Sequence, residues 1–131
     1  MSNLKYWLWL STLRGVSSRS ALELLQQFGS PESLYYADGA QLRQAGLEGR
    51  VLAAVEERSL EEADRILGEC DRLGLRILTI QDTEYPDRLK NIYDPPLLLY
   101  LKGRMPLFDE EVALAMVGTR DCSAYGIYAA E

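Results

Sequence analysis

The chain divides by the period of its apolar positions. Up to Gly74 they recur at helical spacing, and beyond it they gather into short unbroken runs. Leu4, Trp7, Leu8 and Leu13, with Trp9 and Leu10 widening the stripe, predict a helix over residues 4–13 that stops at Gly15. Gly15, Val16 and Ser17 lead into a second helix whose apolar face is Ala21, Leu22, Leu24, Leu25 and Phe28. Ser30 before Pro31 reads as an N-cap with proline in the first turn, and Asp38 with Gln41 as a capping box for a short helix closing near Ala45. The glycine turn recurs at Gly46-Leu47-Glu48-Gly49, ahead of an apolar stretch over residues 51–55. A second capping box, Ser59 with Glu62, opens the most regular helix; Leu60, Ala63, Ile66, Leu67, Cys70 and Leu73 form its buried face and Gly74 closes it.

Past Gly74 the runs at residues 76–80 and 97–101 are strand candidates. Between them, Pro86 opens a short helical segment over 85–92, and Asp94-Pro95-Pro96 excludes helix. Residues 104–111, with Pro106 and the acidic Asp109, Glu110 and Glu111, read as a loop whose charges are solvated. The run 112–117 is a third strand candidate, passing through Gly118-Thr119-Arg120 into a helix capped by Ser123. The fold class is therefore α/β overall, an all-α part over residues 1–75 followed by the start of an α/β domain over 76–131. One strand and one helix cannot bury both faces of a sheet, so that second part is expected to be truncated, the chain being a fragment or a truncated reading frame.

The strand–turn–helix at 112–126 is the stretch whose chemistry points to a ligand. Backbone amides at such a junction face outward toward an anion, Gly118 admits a phosphate close to the backbone, and Arg120 adds a forked charged donor. The turn at Leu13-x-Gly15-Val16-Ser17-x-x-x-Ala21 resembles the helix-hairpin-helix module, whose hairpin amides hold a DNA phosphate. A weaker second copy lies at Ala45-Gly46-Leu47-x-Gly49. That resemblance implies contacts from Gly15, Ser17 and Arg19 and a small bundle of the SAM-like kind. Ser17 stands where the module has its second glycine, and the same glycines also serve as tight turns between packed helices.

Charge and composition narrow the classes. The net charge of −6 excludes a surface that attracts nucleic acid as a whole. Residues 1–58 are balanced, six basic against six acidic, which favours the tight-turn reading there, and residues 59–131 carry eight against fourteen. Any anion binding in the second part therefore comes from a local site. There is no histidine, and Cys70 and Cys122 lack metal-ligand spacing, so no zinc centre, histidine-based catalysis or cofactor is expected. No run of about 20 apolar residues is present and no cleavage signal follows the apolar patch at residues 6–10, so a cytoplasmic protein is expected.

The string Glu84-Tyr85-Pro86-x-x-Leu89-x-x-Ile92-x-Asp94-Pro95-Pro96-x-x-Leu99-Tyr100-x-Lys102-Gly103 precedes Val117-Gly118-Thr119-Arg120-x-x-Ser123-x-Tyr125-Gly126-x-x-x-Ala130-Glu131. The pair, in this order and behind a helix-hairpin-helix-type bundle, resembles the DNA-processing protein A family, also called DprA or Smf. The resemblance implies a SAM-like bundle over 1–75 and the N-terminal fragment of a Rossmann-like, single-stranded-DNA-binding domain over 76–131. It implies a non-enzymatic role in natural transformation and recombination, with single-stranded DNA and the RecA recombinase as partners and a homodimer formed through the later Rossmann half. Carried onto this sequence, Gly118, Thr119, Arg120, Ser123, Tyr125 and Gly126 are the DNA-phosphate residues. Tyr125 is either a base-stacking platform or a packing residue.

Two other readings stand beside this one. Related Rossmann folds act on nucleotides, but residues 118–126 carry neither the dinucleotide fingerprint nor a P-loop lysine, and a nucleosidase-like enzyme would need a catalytic carboxylate elsewhere. A protein-docking helical module would use Trp7, Trp9, Tyr35 and Tyr36, although core packing accounts for Trp7.

Overall fold

In a computed structural model that describes residues 3–131, the chain folds around its first helix, α1 (Leu4–Thr12). Tyr6, Trp7, Leu8, Trp9 and Leu10 are all buried, so α1 is covered on every side rather than along one stripe. Amphipathic partners supply the cover: α2 (Ser18–Phe28) with Ala21, Leu24 and Leu25, α3 (Pro31–Tyr36) with Leu34, and α6 (Glu61–Leu73) with Ala63 and Cys70. Between α3 and α6 lie α4 (Gly39–Gln44) and α5 (Gly49–Glu57), whose Leu42 and Val55 also reach full burial.

Local signals set most helix ends. Ser30 accepts from the Ser33 amide with Pro31 behind it, and the Asp38–Gln41 capping box forms in both directions. Gly74 closes α6 with φ of 68° in the left-handed region, where a side chain would be strained. The box expected at Ser59 and Glu62 does not form. The N-cap falls at Leu60, without a side-chain bond, and Glu62 pairs instead with Arg65 one turn on at 2.5 Å. Arg58 ends α5 with φ of 53°, a rare conformation for a residue with a side chain. It is held from both sides, because the Tyr35 hydroxyl donates to its carbonyl at 2.9 Å and its guanidinium donates to the Ala37 carbonyl.

The aromatic residues proposed for docking are mostly interior. Trp7 and Trp9 are buried, and Tyr6, Tyr35 and Tyr36 form a tilted and edge-on cluster with Trp9, in which only Tyr36 is well exposed.

β1 (Arg76–Thr79) and β2 (Leu98–Leu101) make one antiparallel two-stranded sheet, Arg76 opposite Leu101 and Thr79 opposite Leu98. Such a pair is marginal alone. Leu78, Ile80, Leu97 and Leu98 therefore join Trp7, Leu8 and Trp9 in a single core, and β2 packs on α1. Between the strands, the buried Tyr85 hydroxyl donates to the Pro96 carbonyl at 2.7 Å, and α7 (Asp87–Lys90) forms one turn. The expected α/β class thus appears as mixed helix and strand, the strands among the described residues forming one antiparallel pair.

The third strand, expected over 112–117, does not form. β1 and β2 pair with each other, and the 112–117 backbone joins no ladder. Its side chains stand in solvent, Val112 at 98%, Leu114 at 89% and Val117 at 95% exposure. The chain closes with α8 (Ala124–Ala130), which buries none of its residues.

Candidate nucleic-acid interface

Gly118, Thr119, Arg120, Ser123, Tyr125 and Gly126 lie together on the surface because they are close in sequence and because α8 starts among them. None of the residues of α8 is buried against the rest of the described chain. Ser123 caps α8: its side-chain oxygen accepts from the Gly126 amide at 3.2 Å. Gly126 suits that cap, since a Cβ there would sit 3.3 Å from Cys122 Cβ and 3.6 Å from Ser123 Oγ. Gly118 works differently. Its φ is not positive, so left-handed freedom is not what it contributes, and the space where a Cβ would stand is empty. A ligand can therefore approach its backbone closely. Tyr125 is 77% exposed, which removes the packing reading within the described residues. Arg120 makes no ion pair or hydrogen bond among the described residues.

The first hairpin is built from similar parts and is closed. Gly15 turns the chain with φ of +79°, and Ser17 caps α2 through the Ser20 amide at 3.1 Å. The Arg19 amide, also in the first turn of α2, donates to the Asp94 carboxylate at 3.1 Å. The Arg19 guanidinium lies 4.2 Å from the Tyr93 ring centre and 3.9 Å from Glu23. An intramolecular carboxylate thus sits where a helix start would receive an anion.

The loop at 104–111 repeats this arrangement at α7. Asp109 accepts from the Asp87 and Arg88 amides at 2.9 and 3.0 Å, while Arg88 donates to the Glu111 and Asp109 carbonyls. The Arg88 amide first, then that of Asp87, holds the Asp109 carboxyl below its ordinary pKa. Asp109 is therefore a cap and not only a solvated charge. Nothing in the local sequence around Asp94 or Asp109 signals these contacts, because each reaches a helix start distant along the chain.

A cavity of about 690 Å³ opens beside the first hairpin, with Trp9, Leu13, Arg14, Arg50 and Glu57 among its lining residues. It holds none of the residues at 118–126. Among the described residues no helix is long and apolar enough to cross a membrane.

Together these features describe a helical protein with a small antiparallel sheet and a solvent-facing glycine–hydroxyl–arginine turn. Residues 76–131, which carry the sheet and that turn, match the family model described as DNA recombination-mediator protein A. Over those residues the chain is similar to members of this family. It is 34% identical over 86 residues to the DNA processing protein DprA of Bacillus subtilis (strain 168), an alignment covering 66% of this chain. The chain spans about a quarter, 27%, of the length of that relative. No solved structure matches it.

Proposed function

We propose that the chain is part of a DNA-processing protein of recombination and natural transformation that binds single-stranded DNA by its phosphates and helps load the RecA recombinase. The observation carrying this reading is the family match of residues 76–131, a span that contains every residue of the open turn. In this reading the Gly118 and Thr119 amides and the Ser123 hydroxyl receive a phosphate, Arg120 pairs with it, Gly126 lets the cap close, and Tyr125 offers a face to a base. Such contacts are independent of base sequence, so the protein acts in the cytoplasm by holding a strand, without catalysis or cofactor. Residues 1–75 are the SAM-like bundle and 76–131 the N-terminal part of a Rossmann-like domain, the full-length protein being a homodimer through its later half. The carboxylate on the Arg19 amide argues against Gly15, Ser17 and Arg19 as a first contact for DNA.

Fluorescence anisotropy of the full-length protein with oligo-dT tests this. Binding is expected to weaken steeply with salt, and Arg120→Ala to weaken it equally for all sequences while lowering the salt slope by about one. Unchanged affinity in Arg120→Ala would reject the site.

A further inference from the structure

The cavity of about 690 Å³ lies wholly among the helices, outside the family-matched span, and its volume is in the range of ligand pockets. α5 gives it one wall. Arg50, Ala53, Ala54 and Glu57 follow at spacings of three, four and seven residues, so they share one face of that helix over about 10 Å. The middle of this face is open to a close approach, because Ala53 is exposed, Ala54 is half-buried and both side chains end at Cβ. Leu13 and Trp9 continue the apolar lining from α1 and its C-cap.

Two guanidiniums, Arg14 and Arg50, border this apolar floor, and neither enters an ion pair among the described residues. Other polar groups of the lining are already engaged. The Thr12 hydroxyl donates to the Trp9 carbonyl at 2.8 Å, and Glu62 pairs with Arg65 at 2.5 Å. Unspent arginine forks select an anionic oxygen pair. The carboxylates of the lining then decide between polymers. A nucleic-acid strand, charged at every phosphate, would bring like charge onto Glu57 and Glu62. A peptide can set one acid on the arginines and an aliphatic side chain on the floor beside them.

We propose that this cavity docks a short peptide segment of a partner protein, one that carries an acidic side chain next to an aliphatic one. The acid pairs with Arg14 and Arg50, and the aliphatic side chain covers Leu13, Ala53 and Ala54. Buried arginine pairs of this kind are frequent anchors of an interface. The site uses none of the residues at 118–126, so its outcome is separate from that of the DNA-binding reading.

Selection of short random peptides displayed on phage tests this, with the full-length protein as bait and depletion against its Arg14→Glu/Arg50→Glu variant. The peptides that remain should be enriched in Asp or Glu beside Leu, Ile or Val. Remaining peptides without that enrichment, or none that tells the two proteins apart, would overturn the proposal. A selected peptide should lose roughly tenfold in affinity on Arg50→Ala. Ala53→Trp, which fills the floor and keeps both arginines, should abolish binding with the circular-dichroism melt unchanged, and retained affinity in either variant counts against the docking site. Replacing the peptide's acid by its amide should cost nothing further in Arg14→Ala/Arg50→Ala; an additional loss there would show that the acid meets another group. Oligo-dT should not displace the peptide, and displacement would assign the cavity to nucleic acid instead.

Discussion

The hairpin at Gly15 and the turn at Gly118 use the same local parts and reach opposite states. In each a glycine precedes a serine that caps a helix, Ser17 through the Ser20 amide at 3.1 Å and Ser123 through the Gly126 amide at 3.2 Å. An arginine stands close to each. The helix after Ser17 lays Ala21, Leu24 and Leu25 into the core, and its first-turn amide and arginine are taken by Asp94 and Tyr93. The helix after Ser123 buries nothing, and Arg120 is left facing solvent. Local sequence sets the shape of an anion-receptive turn, and neighbours distant along the chain decide whether its donors are already spent.

The largest expected contrast is in stability. Trp9→Ala, in a side chain only 2% exposed, should cost about 3–5 kcal/mol in denaturant unfolding, whereas Leu114→Ala should stay within about 0.5 kcal/mol. Comparable losses would mean that the tail belongs to the folded core. A smaller effect is expected at the closed hairpin, where Asp94→Ala strips the carboxylate from the Arg19 amide and should lower stability by about 1 kcal/mol. Faster amide exchange at residues 17–20, with no change at 118–126, would separate the two turns further, and unchanged exchange at both would show that Asp94 does not close the hairpin.

The mildest effect lies at high pH. The hydrogen bond between the Tyr6 and Tyr36 hydroxyls, ahead of burial, pushes Tyr6 from 10.0 up to about 12. A folded-state pKa raised above the unfolded one means that this stabilisation is complete below pH 10.0 and is lost as pH climbs toward about 12. The Tyr6→Phe melt should therefore be less sensitive than wild type across that interval, and identical pH profiles would reject the coupling of Tyr6 to folding.

The helical half was largely legible in the sequence, because its elements are set by periodicity and by contacts a few residues apart. The Asp38–Gln41 box, Ser30 before Pro31 and Gly74 each did what their residue types imply. Ser59 failed for a tertiary reason: Arg58 in the left-handed conformation, pinned by Tyr35 and Ala37, moves the helix start to Leu60. The 112–117 run has strand composition, yet pairing requires a second strand and composition cannot supply one. At the candidate interface, the cap at Ser123 was legible, while the roles of Asp94 and Asp109 were not, since each carboxylate crosses to a helix start on another element.

The two tryptophans carry a practical consequence. Both are in α1, within the core, and the open turn contains none. Intrinsic tryptophan emission is thus a private reporter of the helical interior. A strand bound at Arg120 should leave the emission maximum where it was, and a blue or red shift on adding oligonucleotide would announce that the core itself has rearranged.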